Sequence, residues 1–491
     1  MITIEELRKS VKEGIQFVQT QKDVREAEIF ASWNDNVTVR INYTSDIPCN
    51  GVHEPKNIVG YGVGIVAVFD TSEGVKIGSG SDTGDLSLEG IKRAFEKARQ
   101  NAVSDPNFKS LSSPSDEMPK LISYHDMNAM DLTDDDMVSL GWGALKGALL
   151  TFKEAGFLKS LIVGGDVTIL KEKMAVANTR GIDDYDESSA LFASITSMIE
   201  DRDAKGTGWT TATHLDKFKA EEAGAMAAIS AISTIGGTRI RSGNYNVVFG
   251  RQAVAMLFSE MIISALYLNS IDSGNSPFVG RLGQKVASDV VSIYDDGARL
   301  WEVGSKKITC EGLPTGRTDL IEEGRLVGFL SNNYYGKKLE SNVAKFTPRN
   351  GFRFGDLGRD FRQNNSIFAT NLVIEGTREL DSGKLISRVK NGIFIGRLWY
   401  LYPVHGLVKA DFTGTVIGDS YIIRNGRLEE PLKPNTVRIS DNFVNLLQNI
   451  VAISKEKSTT MIWDSKEVVI APEIAVKGMK LENVAEFVEE L

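Results

Sequence analysis

Four histidines in 491 residues leave this chain few imidazoles for chemistry. His53, His125, His214 and His405 stand far apart, and no two are spaced to share a helix face or hairpin as a metal-binding pair. His53-Glu54 starts like an H-E motif, but Pro55 disfavours a helical Glu54 and no histidine follows four or five residues on. Asp295 and Asp296 are paired carboxylates, yet with Gly297 after them they read as turn formers; Asp356, Asp360 and His405 are the other residues that could converge on a cation. Serine catalysis is poorly served, with no G-x-S-x-G elbow and few bases for a triad. Gly60, Gly62 and Gly64, then Gly78 and Gly80, invite a phosphate cradle, but they lie within strand patterns rather than at a strand-to-helix turn. One carboxylate remains in a suggestive setting. Glu260 sits in the helix-like stretch Leu257–Leu266, with Ser259 before it and Ser264 four residues beyond. In a regular helix Glu260 and Ser264 share a face, and Ser259 points about 140° away from Ser264.

The elements around this stretch divide the chain. Residues 3–20 have helical apolar spacing. Glu26–Trp33 and Asn36–Tyr43 alternate as two strands with Asn34-Asp35 as the turn between them, and Gly60–Phe69 is a further strand. Gly74–Ser81 reads as a short strand, followed by a helix over 88–98 with Ser87 as N-cap. Residues 102–120 form a loop, and a second helix runs from Asp134 to about Ala155. Leu161–Leu170 and Lys173–Asn178 read as a hairpin, and Ala190–Ile199 as another strand. An Ala-rich helix from His214 to about Ile232 ends at Gly236-Gly237. Beyond it, segments are short, β-rich and separated by Asp295-Asp296-Gly297, Glu323-Gly324, Asn391-Gly392 and Asn425-Gly426, with helices near 441–454 and 481–490. The expected fold is α+β: an N-terminal α/β domain over 1–236 and a β-rich, mostly antiparallel C-terminal domain over 237–491.

A net charge of −9 without a Lys/Arg run argues against nucleic acid. No apolar run reaches the roughly 18 residues a membrane span needs. Two distant cysteines, Cys49 and Cys310, make no disulfide framework, and the N-terminus has no signal-peptide core. The expectation is a soluble cytoplasmic protein.

Several blocks, in order along the chain, resemble the TldD/PmbA family, which also carries the label of DNA gyrase modulator. They are Gly60–Gly64, Ser81–Ala98, Gly283–Ser288 with Ile293–Gly297, Glu311–Thr318, Leu320–Leu330, and Tyr421–Leu428 with Pro431. The resemblance implies an N-terminal α/β domain, a β-rich C-terminal domain and dimerisation. It further implies that zinc-bearing members are metallopeptidases acting on peptides or unfolded chains in a protected cavity, and that members without the metal motif are partner subunits. Zinc-bearing members carry H-E-x-x-x-H here and a cysteine near the C-terminus. In this sequence Ser259 and Ser264 stand at the histidine positions, and a gapless extension back from Ala471–Ile474 puts Ser458 at the cysteine position. The resemblance therefore implies a degenerate site with no metal and no cofactor, Glu260 being vestigial. The partner would be a second copy or a zinc-bearing homologue, and the ligand a peptide or unfolded polypeptide. Trp399, Tyr402 and His405 are candidates to line a cavity, although core packing is the simpler expectation for the cluster Phe394, Trp399, Tyr400 and Tyr402. Two alternatives stand beside this: an active metallopeptidase with relocated ligands, and a non-enzymatic binding protein for a peptide or other macromolecule.

Overall fold

The computed structural model describes residues 2–72, 74–122, 124–340, 345–356, 358–462 and 467–484. Its first half is an antiparallel sheet with helices on one face. The elements are α1 (Ile4–Val18), β1 (Val24–Thr44), β2 (Lys56–Thr71), β3 (Gly74–Thr83), α2 (Leu88–Gln100), α3 (Asp134–Glu154), β4 (Leu161–Asn178), β5 (Asp183–Ile199), β6 (Ala204–Ala212) and α4 (Ala220–Ser233). The strand order is β3-β2-β1-β4-β5-β6, extended by the short pieces Val103–Ser104 beside β3 and Gly51–Val52 beside β1. Local signals start the helices. Thr3 and Thr133 each form a capping box with the residue three positions on, and Ser87 accepts the Gly90 N–H as expected.

Two strands overrun their turn signals. Asn34-Asp35 does not break β1, which continues for 21 residues, and the expected hairpin at 161–178 is one 18-residue strand, β4. The reason is tertiary. Asn34 donates through Nδ2 to the Arg359 carbonyl of the second half at 2.8 Å, and Lys171 on the neighbouring strand lies 4.0 Å from Asp35, so residues that favour turns in isolation find partners in the folded chain. Burial along β1 does not alternate because both faces are covered. Ile29, Ala31 and Trp33 pack under α1 and α2, whereas Phe30 packs with Ile308, Phe352 and Phe361 from the second half.

The second half is a larger, mostly antiparallel sheet. Its elements are β7 (Gly243–Phe249), α5 (Arg251–Leu257), β8 (Val291–Asp296), β9 (Arg317–Glu322), β10 (Asn371–Gly376), α6 (Ser382–Val389), β11 (Gly392–Ile395), β12 (Leu398–Pro403), β13 (Asp411–Val416), β14 (Ser420–Arg424), β15 (Arg427–Pro431), β16 (Val437–Asn442), α7 (Phe443–Gln448), β17 (Ile450–Met461) and β18 (Val468–Asn483). The main order is β9-β8-β10-β18-β7-β11-β14-β15, and β18 also pairs with β16 and β17. Among the described strands, β10–β18, β7–β11 and the short Glu379–Leu380 piece on β17 run parallel. Glu323-Gly324 sits at a strand end as expected, whereas Asp295 and Asp296, read as turn formers, are paired within β8 and the turn begins only at Gly297; Asn425-Gly426 closes the β14–β15 hairpin with φ of 49° and 74°. The helix expected near 481–490 begins on strand β18, and past Val484 it lies outside the described residues.

Candidate functional site

The stretch with Ser259, Glu260 and Ser264 follows β7 through Gly250, whose N–H donates to the Ile395 carbonyl at 2.8 Å. A Cβ at Gly250 would lie 3.1 Å from the Phe394 ring and 3.2 Å from Gly396 Cα, so glycine is what lets the helix start this close to β11. The helical stretch is apolar nearly all round. Val254, Leu257, Phe258, Met261, Ile262, Ile263 and Leu266 are buried, while Ser259 and Ser264 are half-buried and Glu260 is exposed. It is also irregular. After α5, residues Phe258–Ile262 form a π turn in which the Ile263 N–H reaches the Phe258 carbonyl, and Ile263–Leu266 tightens into a 3-10 turn. Where the backbone closes from i to i+5, positions five apart stack in place of those three or four apart. Ser259 lies in the wide turn and Ser264 in the tightened one, so no regular helix runs unbroken between the two positions.

Ser458 lies on β17, opposite Ala471 of β18. It lines a cleft of about 630 Å³ where the two halves meet, with Trp209 and Thr210 of β6, Met226 and Ile229 of α4, Arg251 and Gln252 of α5, and Glu473 of β18. Ser259 and Ser264 do not line that cleft. Four buried polar atoms on its wall have no hydrogen-bond partner among the described residues: Arg251 Nε, Gln252 Oε1, Ser458 Oγ and Glu473 Oε2. Arg251 Nη2 stands 3.8 Å from Glu473 Oε1, and burial raises the Glu473 carboxyl despite that neighbour. The wall thus offers both donors and acceptors beside an apolar side, but no nucleophile paired with a base.

These residues do not suit zinc. Protein zinc is held by imidazole, thiolate or carboxylate, and the three positions carry neutral hydroxyls, with Glu260 the one anionic group among them. Among the described residues, no three or more His, Cys, Asp or Glu side chains gather as a cation site. The other candidates are dispersed. Asp295 is buried on β8, where the Thr370 N–H, the Thr370 hydroxyl and Asn350 Nδ2 donate to it; burial pushes its carboxyl up to about 6 against those bonds. Asp360 pairs with Arg362 at 2.5 Å. His405 lies 3.3 Å from Asp411 at the surface. Trp399, Tyr400 and Tyr402 are exposed on β12 and line neither cavity between the halves, whereas Phe394 is half-buried and lines the cleft with Ser458.

A charged network that periodicity does not reveal lies between the halves. Even positions of β1 face it: Glu28 pairs with Arg353 at 2.8 Å, and Ser32 accepts the Phe361 N–H at 3.1 Å. On β4, Glu172 is 2.6 Å from Lys306, which donates to Ser188 at 3.0 Å. Arg359, fully buried, pairs with Asp186 at 2.7 Å, and the Tyr124 hydroxyl donates to the same carboxylate. Burial pushes the Glu172 carboxyl up, but Lys306 and Arg359 outweigh it and hold it at about 2. Glu311 differs: burial first, then the nearby Glu28 carboxylate, pushes it up to about 8. Glu172 and Lys306 line a second cavity between the halves, of about 410 Å³. The one sequence signal for this network is charge in strand centres, as in Lys171-Glu172-Lys173, which taken alone resembles a turn.

Residues 242–483 match the family described as PmbA/TldA metallopeptidase C-terminal domain. An uncharacterized protein of Methanocaldococcus jannaschii is 22% identical over 75% of this chain and 79% of its own length. A metalloprotease TldD homolog of Buchnera aphidicola is likewise 22% identical, over 75% of this chain and 76% of its own. TldE from Thermococcus kodakarensis shares the fold, with a TM-score of 0.81 at 20% identity over 96% of this chain and all of that one. The C-terminal match, the homologous sequences and the shared architecture have one source: the chain belongs to the TldD/PmbA family.

Proposed function

We propose that this chain is a metal-free TldD/PmbA-type subunit that supports peptide binding and proteolysis with a zinc-bearing homologue, or as a dimer of its own, in the cytoplasm. The observation behind this reading is the donor set. Hydroxyls at 259, 264 and 458 do not supply the roughly three ligands a catalytic zinc needs. Without a Lewis acid, water near Glu260 keeps a high pKa and the carboxylate is a weak base towards it. The ligand would be an extended peptide or unfolded polypeptide, and nucleic acid is disfavoured by the net charge of −9.

The test combines metal content with cleavage. Protein purified without chelator or histidine tag should hold well under one equivalent of transition metal. It should leave unfolded polypeptides intact alone and change the rate or product pattern of a zinc-bearing homologue when mixed with it. One equivalent of zinc with chelator-sensitive cleavage by the chain alone would establish relocated ligands instead. Binding of a polypeptide without any effect on a homologue would favour a binding protein.

A further inference from the structure

A buried polar atom without a partner costs folding free energy, and any ligand that enters a cleft lined by such atoms must supply their partners or leave them unpaired. The cleft that holds Ser458 gathers four of them on one wall: Arg251 Nε, Gln252 Oε1, Ser458 Oγ and Glu473 Oε2. The register brings them together. Ser458 of β17 opposes Ala471 of β18, and Glu473, two residues further along β18, points to the same side of the sheet as Ala471. Ile474 opposes Phe249 of β7, so the chain enters α5 through Gly250 beside Glu473. Arg251 Nη2, 3.8 Å from Glu473 Oε1, is beyond hydrogen-bond reach. Glu473 is 8% exposed, and among the described residues nothing donates to its Oε2.

These atoms specify a class of ligand. Gln252 Oε1 and Glu473 Oε2 accept, the Ser458 hydroxyl does either, and Arg251 Nε donates. The occupant therefore donates at several points, one of them a buried carboxylate, and accepts at one. Asp419, to which the Ser230 hydroxyl donates, is a second carboxylate on the lining, against the one guanidinium of Arg251. Burial raises the Glu473 carboxyl even with Arg251 beside it, so this wall is short of positive charge. The first half contributes an apolar side, with Met226 and Ile229 of α4 and the indole of Trp209.

A long side chain with a cationic end suits that combination. Its methylene stem runs along Met226 and Ile229 while its N–H groups meet the acceptors. A guanidinium brings five donors in a fixed fork and an ammonium three, and an indole face attracts either. An acidic side chain would instead meet Glu473 and Asp419, and an apolar one would leave the four polar atoms unpaired.

We propose that this cleft is a specificity pocket for a lysine or arginine side chain of the bound polypeptide, with Glu473 as the counter-anion and Met226 and Ile229 along the stem. Ser458, at the position where zinc-bearing members carry a cysteine, is then a recognition group rather than a lost ligand. The proposal rests on the reading above in taking a polypeptide as the ligand, while the metal and cleavage assays do not depend on which side chain it carries.

The experiment is fluorescence anisotropy of the full chain with three labelled peptides of one unfolded sequence. They differ only in arginine, glutamine or glutamate at a central position. The arginine peptide should bind about tenfold more tightly than the glutamine peptide, and the glutamate peptide most weakly. Glu473→Gln keeps the shape and removes the charge, and should bring the arginine and glutamine peptides to within about twofold. Ile229→Lys is the second variant: Ile229 is 60% exposed, so folding is not at stake, and a cation at the cleft should erase the same preference. Circular dichroism checks the fold of both. Equal affinity of wild type for the three peptides overturns the inference, as does an arginine preference that survives both variants. Displacement of the arginine peptide by an equal concentration of spermidine also overturns it and assigns the pocket to small amines. An altered cleavage rate of a homologue without any arginine preference would sink the pocket alone and leave the subunit reading standing.

Discussion

Glu311 keeps its proton far above the range of a solvated glutamate. Its usual value of 4.5 is raised to about 8, by burial first and by Glu28 next. Between those values the folded state holds a proton that the unfolded chain has released, so stability falls as pH rises, by about 1.4 kcal/mol per unit for this one group. Glu311→Gln copies the neutral form, and its unfolding free energy relative to wild type should improve steadily from pH 5 to pH 8; a flat difference in urea titrations across that range would disprove the assignment. Glu172 behaves oppositely. Held at about 2, its contribution is present above pH 4.5 and lost as pH falls towards 2. At the same scale, Ser259→His/Ser264→His/Ser458→Cys should take up zinc towards one equivalent by elemental analysis, since imidazole and thiolate are zinc ligands where neutral hydroxyls are not; no uptake would show that the three positions do not share a site. The poverty of metal donors was legible in the sequence because it depends only on residue types. The pairing of Glu172 with Lys306, or Glu28 with Arg353, was not, since partners 134 and 325 residues apart are chosen by the fold.

At the scale of elements, apolar periodicity located α1, α2 and α3 and most strands, and failed where burial on both faces erases alternation. Asn34-Asp35 and Lys171-Glu172 look like turns because their solvation in an isolated strand would favour one; in the folded chain the opposing half supplies partners instead. The Ala-rich helix expected from His214 starts later, at Ala220, after a 3-10 turn over Leu215–Lys217. Its contact with α3 is close: a Cβ on Gly224 would stand 1.8 Å from the Ala144 carbonyl oxygen, and one on Gly147 2.1 Å from that of Glu221. Gly224→Ala must push the two helices apart and should cost about 1–3 kcal/mol or more, read as a lowered urea midpoint. The π turn had no sequence signature, because apolar residues on every side of Leu257–Leu266 give no period to distinguish 3.6 residues per turn from a wider one.

At the scale of the whole molecule, the two halves are joined as much by paired charge as by the apolar cluster around Phe30 and Phe352. Arg359→Ala would leave the buried Asp186 carboxylate without its cation, and Glu172 with Lys306 alone, and should cost roughly 3–5 kcal/mol in chemical denaturation. The α+β class was readable from the change in segment length along the chain, but the order of strands in the second sheet was not. That order places β18, the last strand described, at its centre, between β10 and β7 and in contact with β16 and β17. During synthesis the first sheet has all its strands once Ala212 has left the ribosome, whereas the second lacks its middle until residues 468–483 arrive. Some 200 residues of β-rich chain must wait, their edges unpaired, for the final segment. A stop codon ahead of residue 468 would therefore leave a finished first sheet attached to a half that cannot close, and such a fragment is a natural client for chaperones and proteases.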